Sequence, residues 1–226
     1  MQLPELASLR LILVHGWGFD ASFWRPMLDI LKWPGPVTTV NLGYRGQSDP
    51  DTLLPRDSSL MVGHSLGYLY LTTMLARRAP LNPVAMVAIN GFKQFLADEH
   101  CFTGQPPTAL RQLQRQWLRT PEKAWGQFLA LCGPRPDNTY EQLPGNHDAC
   151  AQGLKFLHAS RAAAHPEVPL LALCGRLDQL VKVEHSQFCF SGDLNSELKV
   201  HNDAAHLLPL THPAWCSRQI RGWLRA

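Results

Sequence analysis

A serine between two glycines is the residue whose type and spacing most directly predict covalent chemistry. Ser65 lies at the centre of the motif Gly63–Gly67, which follows the apolar residues 60–62 and precedes a helix-compatible segment over residues 69–78. Such a sharp turn from strand to helix strains the serine backbone, and the flanking glycines leave room for both elements. The hydroxyl then stands at a helix N-terminus, where backbone N–H groups favour negative charge. The pattern predicts a nucleophilic serine, although so short a motif also recurs by chance.

Acyl transfer by a serine also requires a base, a carboxylate that orients the base, and donors for the developing oxyanion. Asp178 and His206 follow Ser65 in the order Ser, Asp, His, each just after a predicted strand. We predict that His206 takes the proton of Ser65 and that Asp178 holds the imidazole ring. The backbone N–H groups of Trp17 and Leu66 are the candidate oxyanion donors.

The assignments of the base and of the acid both have alternatives in the sequence. His206 is preferred because it follows the last predicted strand, and Asp178 because it follows an apolar strand through a turn that contains glycine. We interpret His64, beside the nucleophile, as a packing residue rather than a second base. The alternatives are His201 and His212 for the base, and Asp193 and Asp203 for the acid.

The elements that must position these residues alternate between strand and helix with short connections. This alternation predicts an α/β fold with a mostly parallel sheet flanked by helices. Ligands bind such sheets at the carboxyl ends of the strands, where the segments 15–18, Ser65 and Asn90-Gly91 fall. The predicted strands cover residues 9–14, 37–42, 60–63, 84–89, 169–174 and 197–201.

The strand pattern is absent from residues 92–166, which we interpret as a helical lid inserted into the core. Leu110, Leu113 and Trp117 share one face of a first helix. A second helix begins after Thr120-Pro121, an N-cap and first-turn proline, and a third covers residues 151–161. Residues 1–91 and 167–226 are then the core of a single domain.

Composition predicts an ordinary globular protein. The chain has 226 residues, of which 45% are hydrophobic and 17% charged, enough for one sizeable core. A net charge of +3 does not favour nucleic-acid binding. The sequence contains no signal-peptide pattern and no apolar run of membrane-spanning length, so we expect a cytoplasmic monomer without membrane attachment.

Cysteine and histidine spacing does not favour a metal centre. The six cysteines never form Cys-x-x-Cys, so neither a zinc ribbon nor a redox pair is indicated. Without a secretion signal, free buried thiols are the simpler expectation. We expect neither a metal nor an organic cofactor.

The motifs in this order resemble those of the α/β-hydrolase superfamily. They are His15-Gly16-Trp17-Gly18, the segments 63–67 and 175–178, and Ala204-Ala205-His206. Within the superfamily, the chain is similar to the pimeloyl-acyl-carrier-protein methyl ester carboxylesterases of biotin synthesis. The segments 128–131 and 153–157, Trp17 and His212-Pro213 carry this narrower similarity.

The narrower resemblance implies an acyl pocket formed by the loop, the nucleophile and one lid segment. The chain differs from the family pattern at Cys132, where a glutamine is usual, at Tyr68, where a small residue is common, and in the loop 41–46. The pocket residues implied by the resemblance are Trp17, Ser65, Leu66, Phe128, Leu129, Ala130, Leu131 and Cys132.

The expected function is that of a serine carboxylester hydrolase acting on a short acyl methyl ester such as pimeloyl-acyl-carrier-protein methyl ester. The same fold also serves thioesterases, lactonases and carbon-carbon bond hydrolases, and a hydrolase-like binding protein is a further alternative. Arg111, Arg115 and Arg119 form one helical stripe. The resemblance suggests that an acidic acyl-carrier protein docks on this stripe, and a simple solvated helix face is the alternative.

Overall fold

Six strands form a single sheet in which every neighbouring pair is parallel. The computed structural model describes residues 5–48, 57–77, 81–136, 139–162 and 167–225. The spatial order is β2-β1-β3-β4-β5-β6, which confirms the prediction of a parallel sheet. The strands are β1 (Arg10–Val14), β2 (Val37–Val40), β3 (Ser58–His64), β4 (Asn82–Ile89), β5 (Leu170–Gly175) and β6 (Ser196–His201).

The central strands are apolar because both faces of the sheet are covered. Every residue of β5 is buried, and so are all residues of β3 except its first. The register places Val14 beside Gly63 and His64 beside Ile89. The carboxyl ends of β1, β3 and β4 therefore lie together at one edge of the sheet.

Helices flank the sheet and close the core. α2 packs on β1, β3 and β4, α6 packs on β5 and β6, and α8 contacts both α1 and β5. A short 3-10 helix (Ala21–Trp24) precedes the first α-helix. The α-helices are α1 (Arg25–Leu31), α2 (Leu66–Arg77), α3 (Pro107–Arg119), α4 (Pro121–Cys132), α5 (His147–Ala159), α6 (Val183–Phe190), α7 (Leu208–Thr211) and α8 (Pro213–Arg225).

Two details of the inserted helices differ from the sequence prediction. α5 begins at His147, four residues before the predicted start, because the Asn146 side chain caps it by accepting the N–H of Ala149 at 3.1 Å. Thr120 occupies the N-cap position of α4, but its hydroxyl donates to the Gln116 carbonyl and makes no capping bond. Arg78, the predicted end of the helix after Ser65, and residues 163–166 of the predicted insertion lie outside the described residues.

Trp17, in the loop after β1, contacts all three inserted helices. Its indole ring lies 5.1 Å from that of Trp117 in α3 and 4.8 Å from that of Phe128 in α4, centroid to centroid. Its Nε1–H donates to the carbonyl of Cys150 in α5 at 2.8 Å. α3 also packs against both other helices. A buried aromatic side chain with a satisfied N–H thus holds the insertion against the carboxyl edge of the sheet.

None of the helices in the described part of the chain combines the length and the apolar character that a membrane span requires.

Replacement of Gly67 by alanine should prevent the normal approach of α2 to β1. A Cβ at this position would lie 2.1 Å from the backbone oxygen of Val14, far inside contact distance. We expect Gly67→Ala to lower the free energy of unfolding by at least about 2 kcal/mol, measured by urea denaturation. Gly222→Ala is the control, because a Cβ there meets nothing within 4 Å and alanine favours the helix. Equal stability of the two variants would contradict this account of the turn.

Candidate active site

Ser65 lies at the junction of β3 and α2 in a left-handed backbone conformation. Its φ is +53°, which a residue with a side chain adopts only when the surroundings require it. Its backbone N–H donates to the Ile89 carbonyl at 3.0 Å, and its carbonyl accepts from Tyr68 at 3.1 Å. A Cβ at Gly63 would lie 2.3 Å from the Tyr68 Cα, so the tight crossing of strand and helix excludes a side chain there.

His206 brings its imidazole ring between Ser65 and Asp178. Its Nε2 lies 3.0 Å from the Ser65 Oγ, and its Nδ1 lies 2.7 Å from the Asp178 Oδ2. A carboxylate can only accept, so Nδ1 carries the proton and Nε2 is free to accept the serine proton. The ring is 1% exposed, which removes the competition of bulk water for these bonds.

Asp178 is buried, and both of its carboxylate oxygens are fully engaged. Oδ1 accepts the backbone N–H groups of Leu180 at 2.8 Å and Val181 at 2.9 Å. Oδ2 accepts from His206 and from the side-chain amide of Asn90, each at 2.7 Å. Four donors offset the loss of hydration that burial of a charge would otherwise cost.

The alternative acids and bases have other partners. Asp193 forms an ion pair with Lys93 at 2.6 Å. The Nδ1 of His201 accepts the backbone N–H of Asp203 at 3.2 Å, and the His201 ring packs 4.2 Å from that of His212. The structure thus brings together Ser65, Asp178 and His206, the three residues preferred from the sequence.

Two hydrogen bonds clamp the backbone of His206. Its N–H donates to the Cys132 carbonyl at 3.2 Å, at the end of α4. Its carbonyl accepts from the Nε2–H of His64 at 2.8 Å. The ring of His64 stacks on Phe23 with the centroids 4.5 Å apart. Sequence reasoning missed both contacts, since each joins segments distant in the chain.

His64 is held in its neutral form. Burial lowers its pKa well below the usual 6.5, and the nearby His206 ring acts in the same direction. Its Nδ1 is buried and has no hydrogen-bond partner among the described residues. His64 thus adds a hydrogen-bond donor beside the triad without adding a charge.

The two candidate oxyanion donors belong to segments close to Ser65. Leu66 is the first residue of α2, so its N–H has no acceptor within the helix. The loop before Trp17 passes close to the nucleophile, since a Cβ at Gly16 would lie 3.2 Å from the Ser65 Cβ. His15 stiffens this loop by donating from Nδ1 to the Gly16 carbonyl at 2.8 Å.

The segment 128–132 of α4 faces several environments. Phe128 and Leu131 line an apolar cavity of about 210 Å³ between α3 and α4. Leu129 is packed in the core, and Ala130 lies on the exposed face of the helix. Cys132 is fully buried, and burial raises the pKa of its thiol well above the usual value. Phe128 and Leu131 are therefore the members of this segment that can contact a molecule in this cavity.

The known proteins that resemble this chain in sequence have related names. No protein-family model matches the chain. It is 30% identical to the pimeloyl-acyl-carrier-protein methyl ester esterase of Shewanella woodyi over 76% of each chain. The esterase of the same name from Pectobacterium atrosepticum is 26% identical over 100% of this chain and 98% of its own. A biotin biosynthesis bifunctional protein from Cellvibrio japonicus is 29% identical over 90% of this chain, which spans only 45% of that protein.

Solved structures support the same fold. A hydrolase from Pseudomonas aeruginosa superposes with a TM-score of 0.79 at 19% identity, covering 97% of this chain and 91% of its own. An esterase from Exiguobacterium antarcticum gives a TM-score of 0.78 at 14% identity, covering 97% and 93%. These similarities confirm the predicted α/β-hydrolase fold.

Replacement of His64 by glutamine should reduce the loss of folding stability at acid pH. The folded protein keeps His64 neutral while the unfolded chain binds a proton near pH 6.5, so stability is lost as the pH falls below that value. Between pH 7 and pH 5 this difference amounts to about 2 kcal/mol for one histidine. The free energy of unfolding is measured by urea denaturation at both pH values. Its decrease from pH 7 to pH 5 should be about 2 kcal/mol smaller in His64→Gln than in the wild type.

The control for this experiment is His100→Gln. The His100 side chain is 87% exposed, so its removal should leave the dependence on pH unchanged. His185 retains part of the acid sensitivity in both variants, because burial also lowers its pKa. An unaltered difference between pH 7 and pH 5 in His64→Gln would refute the assignment.

Proposed function

The chain belongs to the family of pimeloyl-acyl-carrier-protein methyl ester esterases, and from this membership we propose that it hydrolyses the methyl ester of a short acyl chain carried on an acyl-carrier protein. It is a carboxylesterase, like its curated relatives. The observation that carries the proposed mechanism is the buried chain of hydrogen bonds from Ser65 through His206 to Asp178.

In the first half of the proposed reaction, Ser65 becomes acylated. Its Oγ attacks the ester carbonyl carbon while its proton passes to the Nε2 of His206. The N–H groups of Leu66 and Trp17 hold the negative oxygen that forms. When the intermediate collapses, the bond to the methoxy oxygen breaks, and His206 gives its proton to the departing methanol. Asp178 stabilises the imidazolium throughout.

In the second half, water releases the acid. His206 removes a proton from the water, whose oxygen attacks the acyl carbon of the ester on Ser65. Collapse of this second intermediate breaks the bond to Oγ, and His206 returns the proton to the serine. The reaction requires no redox change, so side chains and backbone donors supply every group that the proposed chemistry uses.

The apolar cavity between α3 and α4 is suited to an acyl chain. Leu110, Leu113, Phe128 and Leu131 contribute its apolar side chains, together with Leu180, which lies two residues after Asp178. Phe128 also contacts Trp17, the residue that follows the turn beside Ser65. In this proposal, an aliphatic chain whose ester lies at Ser65 extends past Trp17 and Phe128 into the cavity, which removes apolar surface from water.

A basic groove next to the cavity supports a carrier-bound substrate. Arg111, Arg115 and Arg119 are exposed along α3 and line the groove with Lys123 of α4. Three glutamines, at positions 112, 116 and 127, line both the cavity and the groove. The proposed acyl site therefore adjoins a positive surface that would attract an acidic carrier protein.

Ser65→Ala should remove nearly all hydrolysis of a carrier-bound pimeloyl methyl ester. Loss of the nucleophile in another serine hydrolase lowers kcat by about 10⁶. The measurement is methanol release, with a carrier-bound thioester and a lactone as competing substrates and fluorophosphonate labelling of the folded protein as a second readout. Retained turnover in the variant would refute the mechanism, and preference for the thioester or the lactone would refute the proposed substrate.

Ser59→Ala is the matched control for this experiment. Ser59 is buried in β3, the strand that leads to the nucleophile, and its Oγ has no hydrogen-bond partner among the described residues. Its removal should leave both turnover and labelling unchanged. Absence of labelling at Ser65 in the folded wild type would instead favour a hydrolase-like binding protein.

Replacement of Arg111, Arg115 and Arg119 by glutamate should selectively weaken the binding of the carrier-bound substrate. We expect KM for that substrate to rise about 10-fold or more, with kcat for a p-nitrophenyl ester unchanged, because rim charges act on encounter. The control carries the same charge change at the exposed Arg25, Arg218 and Arg225. Equal effects of the two triple variants, or equal effects on both substrates, would exclude docking on this stripe.

A further inference from the structure

Asn90 follows β4 at its carboxyl end in a left-handed conformation, which asparagine adopts more readily than most residues but less readily than glycine. Its φ is +47°, in the left-handed region where glycine is unstrained. Its backbone N–H donates to the Leu173 carbonyl of β5 at 2.8 Å, and the residue is fully buried. Glycine would form this turn at a lower conformational cost, so the presence of a side chain requires a separate explanation.

The side-chain amide of Asn90 is directed at the acid of the proposed triad. Its Nδ2 donates to the Asp178 Oδ2 at 2.7 Å, the same oxygen that accepts from the Nδ1 of His206. The same Nδ2 also lies 3.5 Å from the carbonyl of Ala205, the residue before His206. One side chain thus contacts both the carboxylate and the loop that carries the base.

The other end of this side chain gains nothing from its position. Its Oδ1 is buried without a hydrogen-bond partner in the part of the chain that the structure describes. An unsatisfied buried carbonyl destabilises the folded state, as does the left-handed backbone. The unsatisfied carbonyl is not needed to fill the space, since an apolar side chain would fill it without burying an unpaired acceptor.

We propose that Asn90 is a positioning residue for ester hydrolysis, which acts by holding the Asp178 carboxylate against the Nδ1–H of His206. This inference rests on the proposed function of the triad. The preceding residue, Ile89, accepts the backbone N–H of Ser65 at 3.0 Å. Two consecutive residues at the end of β4 therefore hold the nucleophile and the acid, and the relative position of the two depends on one strand end.

The pH dependence of the reaction can report on this contact because one imidazole and two thiols close to the pair stay neutral. The ring of His64 lies 4.9 Å from that of His206, and burial lowers its pKa well below the usual value. Burial, with a smaller contribution from the charge of Asp178, raises the pKa of the Cys132 and Cys174 thiols, that of Cys174 to about 12.

Asn90→Gly removes the side-chain amide and places glycine, which adopts a positive φ freely, at this position. We expect kcat for the methyl ester to fall roughly 10- to 100-fold with KM unchanged, as for a small misplacement of a catalytic group. The acidic limb of kcat/KM should move to higher pH, because a carboxylate with one donor fewer favours the imidazolium more strongly. The variant should remain folded without urea, because the backbone gain from glycine partly offsets the loss of one donor to the buried carboxylate. Lys32→Gly is the matched control, since Lys32 also has a positive φ, of 40°, but ends α1 on the surface.

Asn90→Asp tests the donor itself with a side chain of the same shape. When the introduced carboxyl group is protonated, it can still donate to Asp178, whereas two ionised carboxylates in contact repel each other. We expect kcat/KM within about 10-fold of the wild type at acid pH, and an additional loss as the pH rises that the wild type lacks. In Asn90→Gly, the downfield proton resonance of the His206 Nδ1–H should also shift.

The outcomes separate this inference from the proposed function. If Ser65→Ala retains turnover, the proposed function is wrong and the inference falls with it. If Ser65→Ala is inactive while both Asn90 variants keep the kcat and pH profile of the wild type, the role of Asn90 alone is overturned. Loss of folding in both Asn90 variants also overturns it, because Asn90 would then be a structural residue.

Discussion

The buried carboxylate of Asp178 is the constraint on which the arrangement of the site depends. A charge removed from water needs donors on both oxygens, and here they come from the turn after β5, from the end of β4 and from the loop after β6. The four donors together fix these three segments relative to the carboxylate. The strand ends of a parallel sheet meet at one edge, so the fold can supply these donors over short distances. Stabilisation of a buried charge and alignment of the His206 ring are therefore achieved by the same hydrogen bonds.

The inserted helices are part of this arrangement rather than a separate cover. The last residue of α4, Cys132, accepts the backbone N–H of His206, while Phe128 of the same helix lines the apolar cavity. Trp17 joins the loop beside Ser65 to α3, α4 and α5. A change in the packing of α4 would consequently affect both the proposed acyl cavity and the position of the base. This coupling gives a physical reason why substrate fit and catalytic geometry should vary together in variants of the insertion.

Several local features could be predicted from the sequence because they depend on neighbouring residues. Buried parallel strands produce apolar runs, and glycines flank a serine where strand and helix approach closely, so β1, β3 and β5 and the turn at Ser65 were predicted within a few residues of their observed bounds. Helix ends were less predictable. Thr120 has the residue type of a cap without making the bond, whereas Asn146 caps α5 and starts it four residues before the predicted start. A cap depends on side-chain direction, which residue type alone does not specify.

The sequence by itself determined the fold class, the identity of Ser65, Asp178 and His206 as the preferred triad, and the order in which the strands present them. These follow from local patterning and from the rule that parallel strands share a carboxyl edge. Only the tertiary structure decided that Asn90 contacts Asp178, that His64 and Cys132 hold the backbone of His206, and that Ala130 faces outward. Each of the three contacts joins segments that are far apart in the chain, 142 residues apart for His64 and His206. No short-range pattern encodes such pairs, because their distances depend on the assembly of the whole sheet and its helices.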